Sequence, residues 1–307
     1  MKNIKKLMAL FIGILLVLGL LGCGQGQQEG AEQQNNEIIQ IKGSDTEVNL
    51  VQRLAEEFME DSKIKLAVTG GGSGVGISAL INNQVDIANA SRTMKDEEIK
   101  QAEEEAVEPV RFVIAMDGLA VIANGSNKID ELTTEQLGRI FRGEITNWQE
   151  VGGKDQKISL YGRQSNSGTF VFFRDAVLKG DYSADMKRMN GNAQIVEAVK
   201  ADEAGIGYVG VGYVVAEDGN PVEGLKIIKV AKDDSSPAVS PLQPENVKDG
   251  TYPLARPLNQ YVNGKPAGSI LEFIKYELSE EGQKIVVEEG FYPISPEYSE
   301  LNQRNLQ

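Results

Sequence analysis

The sequence predicts an α/β protein of two lobes, each a mixed, mostly parallel sheet flanked by helices, with two crossings of the chain between them. Three observations lead there. From residue 38 onward, short β-like runs alternate with segments of helical period. Two segments, Asp117-Gly118 and Tyr252-Pro253-Leu254-Ala255-Arg256-Pro257-Leu258, fall where the chain would leave a first group of strands and rejoin it. Three loops rich in Gly, Ser and Thr each stand between a strand and a helix start, the arrangement that aims free N–H groups at one place.

The N-terminus stands apart from this pattern. Lys2, Lys5 and Lys6 precede an apolar run over residues 7–21, which has the charged and hydrophobic regions of a secretory signal and is short for a spanning helix. Leu20-Leu21-Gly22-Cys23 closes the run and resembles a bacterial lipobox, whose cysteine is acylated and becomes the new N-terminus. Residues 1–22 are therefore expected to be a signal peptide. Cys23 is expected to carry the lipid, palmitate included, that anchors the chain to the extracytoplasmic face of the cell membrane. The alternative is an incidental thiol; as the only cysteine, Cys23 has no disulfide partner within the chain. Residues 24–37 have no apolar period and no aromatic residue, and make a flexible tether spanning about 20 Å.

The folded part begins with a strand over 38–41, followed by a helix from Thr46 on which Leu50, Val51, Leu54 and Phe58 recur at helical spacing. Ile64, Leu66 and Val68 alternate as a second strand, a glycine loop spans 70–76, and a helix covers 77–81. Residues 85–90 form a third strand, and 109–116 and 119–123 two more on either side of the first crossing. Thr133 or Thr134 caps a helix through Leu137, Ile140 and Phe141. A strand over 158–161 leads through a polar loop to a helix carrying Phe170, Phe173, Val177 and Leu178. Strands over 205–214 and 225–230 follow, then an irregular stretch over 233–250, and finally helices around 270–276 and 283–287. The expected division is 38–117 with 251–307 in lobe I and 118–250 in lobe II. The single tryptophan, Trp148, is assigned to the core of the second lobe.

Composition removes several functions. Net charge is −14, from 31 basic and 45 acidic residues, so the surface field repels nucleic acid and anionic lipid. Loss of the signal lysines makes the exported part more acidic still. Histidine is absent, which takes away the commonest general base and zinc ligand. No cofactor, metal or enzyme activity is expected.

The three donor loops carry the chemistry. Gly43-Ser44-Asp45-Thr46 on its own reads as a helix cap. Gly70-Gly71-Gly72-Ser73-Gly74-Val75-Gly76 holds more glycine than a turn needs, and is either backbone close to a ligand or a flexible loop. It lacks the lysine of a phosphate-binding nucleotide loop and fits no dinucleotide register. Arg163-Gln164-Ser165-Asn166-Ser167-Gly168-Thr169 adds a forked cation to hydroxyls at a helix start, a combination suited to a tetrahedral oxyanion.

In order along the chain, these loops, Val85-Asp86-Ile87-Ala88 leading to Ala90-Ser91-Arg92, Phe141-x-Gly143-x-Ile145-x-Asn147-Trp148, and Tyr252-Pro253-Leu254 resemble the PstS-type phosphate-binding proteins of bacterial ABC transporters over residues 38–295. The resemblance implies a two-lobed, periplasmic-binding-protein-like fold of type II, and a monomer that delivers inorganic phosphate to membrane permease subunits. It implies ligand contacts from Ser44, Thr46, Ser73, Arg163, Ser167, Gly168 and Thr169, with Gly74 in the same glycine loop. Members of the family carry an aspartate after the third strand that accepts the ligand's proton; this chain has Ser91 and Arg92 there. Asp45 is the candidate replacement acceptor, or else a solvent-facing cap. Arg92 either adds a cationic contact or pairs with a nearby acid such as Asp86 or Glu97. Two other readings stand beside this one, ahead of a third, a surface protein of adhesion or signalling, which the tether would permit but which would not explain three donor-rich helix starts. The ligand could be sulfate, molybdate or another oxyanion, or the chain could be a secreted hydrolase with Ser73 or Ser167 as nucleophile. The second lacks a histidine base and any Ser-x-x-Lys pattern at either serine.

Overall fold

The computed structural model describes residues 38–216 and 220–307. The expected signal segment, Cys23 and tether lie outside the described residues. The first sheet comprises β1 (Ile38–Gly43), β2 (Lys65–Thr69), β3 (Ile87–Ala90), β4 (Pro109–Gly118) and β11 (Ala255–Asn263), in the order β2-β1-β3-β11-β4. The second comprises β5 (Ala120–Asn124), β6 (Glu131–Thr133), β7 (Ser159–Arg163), β8 (Lys187–Met189), β9 (Gly205–Val209) and β10 (Leu225–Ala231), in the order β6-β10-β5-β9-β7-β8. The chain is thus an α/β protein of two lobes, one sheet in each.

Strands joined through helices pair in parallel: β1 with β2 and β3, and β7 with β8 and β9. Among the described residues, every antiparallel ladder between two of these strands involves β5 or β11, the strands that follow the two crossings. The reason is directional. Strands fed from a helix end at the cleft, whereas a strand arriving from the other lobe starts there and runs away from it.

Helix α1 (Val48–Asp61) buries Leu50, Val51, Leu54 and Ala55 against the first sheet, as the spacing requires. Helix α2 (Ser73–Ile81) is apolar on nearly all sides and lies between β1 and β3. Helices α3 (Asp96–Glu104) and α4 (Thr134–Arg142) follow; α4 is capped by Thr133, whose Oγ1 accepts from Gln136 N at 3.2 Å. In the second lobe, α5 (Gly168–Phe173) and α6 (Asn192–Ala201) flank β7 and β9. The short α7 (Pro244–Lys248) interrupts the stretch read as irregular. The chain closes with α8 (Gly268–Glu277), α9 (Glu280–Glu288) and α10 (Pro296–Leu306).

Period reading misses α3 and α10 because each buries a single residue, Ala102 and Asn302 respectively. Asn302 docks α10 by polar bonds: its Oδ1 accepts from Val113 N at 2.9 Å and its Nδ2 donates to Val113 O at 2.7 Å, occupying the open edge of β4. The strand expected over 205–214 stops at Val209, because Val211 N leaves the ladder to donate to Asp117 Oδ1 at 2.8 Å. Trp148 is buried and donates from Nε1 to Ala204 O at 3.0 Å, a packing residue of the second lobe. In the same lobe the rings of Phe141, Phe173, Tyr182 and Tyr208 form an aromatic cluster, Phe173 and Tyr208 stacking with centroids 4.1 Å apart. Among the described residues no helix is long and apolar enough to cross a membrane.

Candidate functional site

The loops after β1, β2, β3 and β7 all open at the carboxyl ends of their strands, where open α/β sheets bind ligands. Gly43 makes the first turn possible. Its φ of +147° is open to glycine, and a Cβ there would lie 2.1 Å from Asn89 O. Ser44 then bonds back to the third strand, its N donating to Asn89 O at 2.9 Å.

Five buried hydroxyls from these loops meet. Ser44 Oγ donates to Ser91 Oγ at 3.0 Å, and Ser73 Oγ lies 3.4 Å from Ser91 Oγ while accepting from Ser91 N at 3.1 Å. From the other lobe, Thr169 Oγ1 stands 2.7 Å from Thr46 Oγ1 and 3.5 Å from Ser91 Oγ. Gly168 lets these surfaces close: a Cβ there would sit 2.3 Å from Ser73 Oγ and 2.8 Å from Ser91 Oγ. Ser167 is buried beside them and caps α5, its Oγ accepting from Phe170 N at 3.4 Å.

Two arginines attend the cluster. Arg163 is 1% exposed at the end of β7, where its N donates to Tyr208 Oη at 3.3 Å. Burial pushes the Tyr208 hydroxyl up to about 12, so it keeps its proton at neutral pH. The Arg163 Nη2 donates to Asp45 Oδ2 at 2.5 Å and to Asn190 O at 2.8 Å; its Nε and Nη1 are buried and have no partner among the described residues. Arg256, at the start of β11, donates from Nη2 to Thr169 Oγ1 at 3.1 Å and from Nη1 to Ser91 O at 3.0 Å. Asp117 holds it, with Oδ2 accepting from Nε at 2.9 Å and from Nη2 at 2.7 Å, while the Phe172 ring centroid lies 5.1 Å from the guanidinium.

Several sequence candidates are placed differently. Arg92 grips Glu98 with both Nη atoms at 2.6 and 2.7 Å, so it takes the alternative of pairing with a nearby acid, and that acid is Glu98 in place of Asp86 or Glu97. Burial acts to raise the Glu98 carboxyl, but the bonds from Arg92 and from Lys95 N outweigh it and hold it below its usual range. Arg92 lines a cavity of about 470 Å³ together with Lys95, Arg111, Phe172 and Asp175. Asp45 is neither a free acceptor nor a solvent cap. Its Oδ1 accepts from Gly71 N at 2.7 Å and its Oδ2 is taken by Arg163. The Gly74 N–H is likewise spent, on Asn166 O at 3.0 Å, and Asn166 Nδ2 donates to Gly71 O at 2.9 Å. Gly72 and Gly74 are therefore packed against backbone of the opposite lobe, where a Cβ would lie 2.8 and 3.3 Å from Asn166 O, while Gly76 lies against Lys42 O of its own lobe, 2.3 Å from a Cβ.

Arg256, Asp117, Asn166 and Glu47 were not singled out by sequence. Asp117 and Arg256 both lie in the two crossing segments, and a search of those segments for opposite charges would have found the pair. Glu47 follows the first loop, is fully buried, and is pushed well above the usual carboxylate range by that burial. Among the described residues no group of His, Cys, Asp or Glu could hold a metal ion.

Comparison with known proteins adds the following. The model of the PBP superfamily domain matches residues 27–281. The phosphate-binding protein PstS of Staphylococcus aureus (strain MRSA252) is 34% identical over 294 residues, covering 93% of this chain and 86% of that protein. PstS of Staphylococcus saprophyticus is 34% identical over 280 residues, with 89% and 84% covered. A phosphate ABC transporter substrate-binding protein of Clostridium perfringens, solved with bound phosphate, superposes with a TM-score of 0.74 at 30% identity, over 84% of this chain and all of that one. An ABC-type phosphate transport receptor of Vibrio cholerae gives 0.67 at 30% identity, over 83% of this chain and 100% of that one.

Proposed function

The chain belongs to the PstS-type phosphate-binding proteins of the PBP superfamily, and from that premise we propose that it captures inorganic phosphate between its two lobes and delivers it to the permease of an ABC importer. One observation carries this reading: hydroxyls of Ser44, Thr46, Ser73, Ser91 and Thr169, contributed by separate loops and both lobes, converge within hydrogen-bond distance of one another. A tetrahedral anion takes donors from several directions at once. Each hydroxyl exchanges a bond to its neighbour for a stronger, charge-assisted bond to the ligand, so no donor is left unmade.

Arg163 supplies the positive charge, offering the ligand its two unpartnered nitrogens while Asp45 and Asn190 fix the third. The helix starts behind Ser73 and Ser167 add N–H groups and the positive ends of their dipoles. A net charge of −14 does not oppose this, since screening acts within about 8 Å at physiological salt. Residues 38–117 with 251–307 act as one jaw and 118–250 as the other. The Arg163–Asp45, Asn166–Gly74 and Arg256–Thr169 bonds hold the closed form.

The lipid anchor rests on the sequence of residues 20–23, and places the protein on the outer face of the cell membrane beside its permease. Radiolabelled palmitate should enter the wild-type chain and not Cys23→Ala. Sulfate is the second reading, favoured by one observation: both oxygens of Asp45 and of Asp117 are already engaged, so neither carboxylate is free to demand a ligand proton. Isothermal titration of the purified full chain with phosphate, sulfate and arsenate decides between them. Stoichiometric phosphate binding, tighter than that of sulfate, is expected; equal affinities, or no phosphate bound by calorimetry and by equilibrium dialysis, would end the phosphate reading.

A further inference from the structure

The cavity beside Arg92 is set apart by its charge. It measures about 470 Å³ and lies between segments of both lobes: residues 92–95, 111, 255–257 and 298 from the first, 171–172 and 175–176 from the second. That volume suits a small organic ligand. Four cations stand on its wall, Arg92, Lys95, Arg111 and Arg256, against one acid, Asp175. Glu98 pairs with Arg92 and Asp117 with Arg256, while Asp175 is taken by Arg174, whose Nε donates to Oδ1 at 2.8 Å. Lys95 and Arg111 form no ion pair among the described residues, so two positive charges are left over in a chain of net charge −14. Two other cavities lack this imbalance. In one of about 560 Å³, Lys128 and Lys229 share the wall with Asp130 and Glu131. In one of about 380 Å³, Lys157 stands 4.0 Å from Asp185 and Lys187 3.8 Å from Asp202.

Much of the remaining wall is apolar. Met94, Val171 and Pro257 contribute aliphatic surface, and each lobe contributes a ring, Tyr298 from the first and Phe172 from the second. Both rings lie against cations: the Arg111 guanidinium is 5.8 Å from the Tyr298 centroid, and that of Arg256 is 5.1 Å from Phe172. An inorganic anion would leave the apolar wall uncovered, and an uncharged ligand would strip water from Lys95 and Arg111 without replacing it. The wall matches an anionic head on an apolar body. It is distinct from the donor cluster, since none of Ser44, Thr46, Ser73, Ser91 and Thr169 lines it. Arg256 is common to both, lining the cavity while its Nη2 donates to Thr169 Oγ1 at 3.1 Å.

We propose that this cavity is a second ligand site, taking a small organic anion whose head meets Lys95 and Arg111 and whose body lies against Phe172 and Tyr298. Because both lobes build the wall, the anion binds the closed arrangement better than an open one and so favours phosphate capture; by linkage, phosphate favours the anion to the same degree. The site stands independently of the phosphate reading, and only the coupling rests on it.

The test uses benzoate and phenyl phosphate, one ring with a carboxylate or a phosphate head, and benzyl alcohol as the uncharged control. Each is titrated calorimetrically into the full chain with inorganic phosphate saturating the cleft, and benzoate also without phosphate. At least one of the two anions should saturate a single site, and benzyl alcohol should bind more weakly. Phosphate should tighten benzoate by about fivefold or more. Lys95→Gln with Arg111→Gln should weaken the anion by about tenfold or more, through loss of charge-assisted bonds. Ala176→Trp, placing a ring in the cavity from an exposed position, should exclude the anion, so the question stays answerable if the double variant does not fold. The site is overturned by no saturable binding of either anion, by benzyl alcohol binding as tightly, by unchanged binding in both variants, or by displacement of benzoate on adding phosphate. Equal benzoate affinity with and without phosphate overturns the coupling. Benzoate binding that the variants weaken, in a chain that binds no phosphate, would sink the phosphate reading and leave the second site standing.

Discussion

Gly168→Ala offers the sharpest test of the closed cleft. Gly168 starts α5 in the second lobe, and its φ is not in the left-handed region, so alanine is acceptable to the local backbone. The obstacle is across the cleft. A methyl group would meet Ser73 Oγ at 2.3 Å, Ser91 Oγ at 2.8 Å and Ser73 Cβ at 2.9 Å, all from the first lobe. Ordinary contact lies near 3.5–4.0 Å, so the lobes must part by roughly 1 Å or the two serines must leave their rotamers. Overpacking of this kind costs about 1–3 kcal/mol. Since each 1.4 kcal/mol is tenfold, phosphate affinity should fall about 5- to 150-fold. The clash exists only when the lobes are closed, so the melting temperature without ligand should move far less than the affinity. Calorimetric titration measures the first and a thermal scan the second. Binding of Gly168→Ala within twofold of wild type would refute the geometry, because it would mean that Gly168 does not meet Ser73 when the anion is held.

Arg163→Ala should weaken phosphate binding by about 30- to 4,000-fold, since loss of one partner from a buried, hydrogen-bonded charge pair costs about 2–5 kcal/mol; titration calorimetry checks it, and Arg163→Lys should restore only part of the loss. Arg256→Met leaves the fully buried Asp117 without its cation, and should lower folding stability by about 3–5 kcal/mol in urea unfolding. Glu277 is also fully buried and raised well above the usual carboxylate range, burial being opposed by the bond from Gln260 Nε2 at 2.9 Å. The unfolded chain releases this proton near the ordinary value of 4.5 while the folded chain retains it. Stability is therefore full below that value and declines by about 1.4 kcal/mol per pH unit as pH rises, until the folded value is passed. Glu277→Gln should flatten that decline, so its advantage over wild type in urea unfolding should be larger at pH 8 than at pH 5.

The sequence by itself determined the parts of this protein that depend on neighbours along the chain. Helical spacing at Leu50, Val51 and Leu54, alternation at Ile64, Leu66 and Val68, and small polar residues at strand ends are local patterns, and they set both the α/β alternation and the position of the donor loops. The motif order carried the family for the same reason. What tertiary structure decided is which distant groups meet. Asp45 and Arg163 are 118 residues apart, and Asp117 and Arg256 139, and no periodicity links either pair. Sequence leaves Arg92 open either to the cleft or to a nearby acid, and folding puts Glu98 against it; it leaves the glycine loop open either to a ligand or to flexibility, and folding lays Asn166 across it. Glu47 reads as an ordinary polar residue at a helix start, and only the closure of β4, β11 and α8 around it removes the water that would have ionised it. Charge pairing and desolvation are properties of three-dimensional surroundings, which is why the sequence located the donors and the fold assigned their partners.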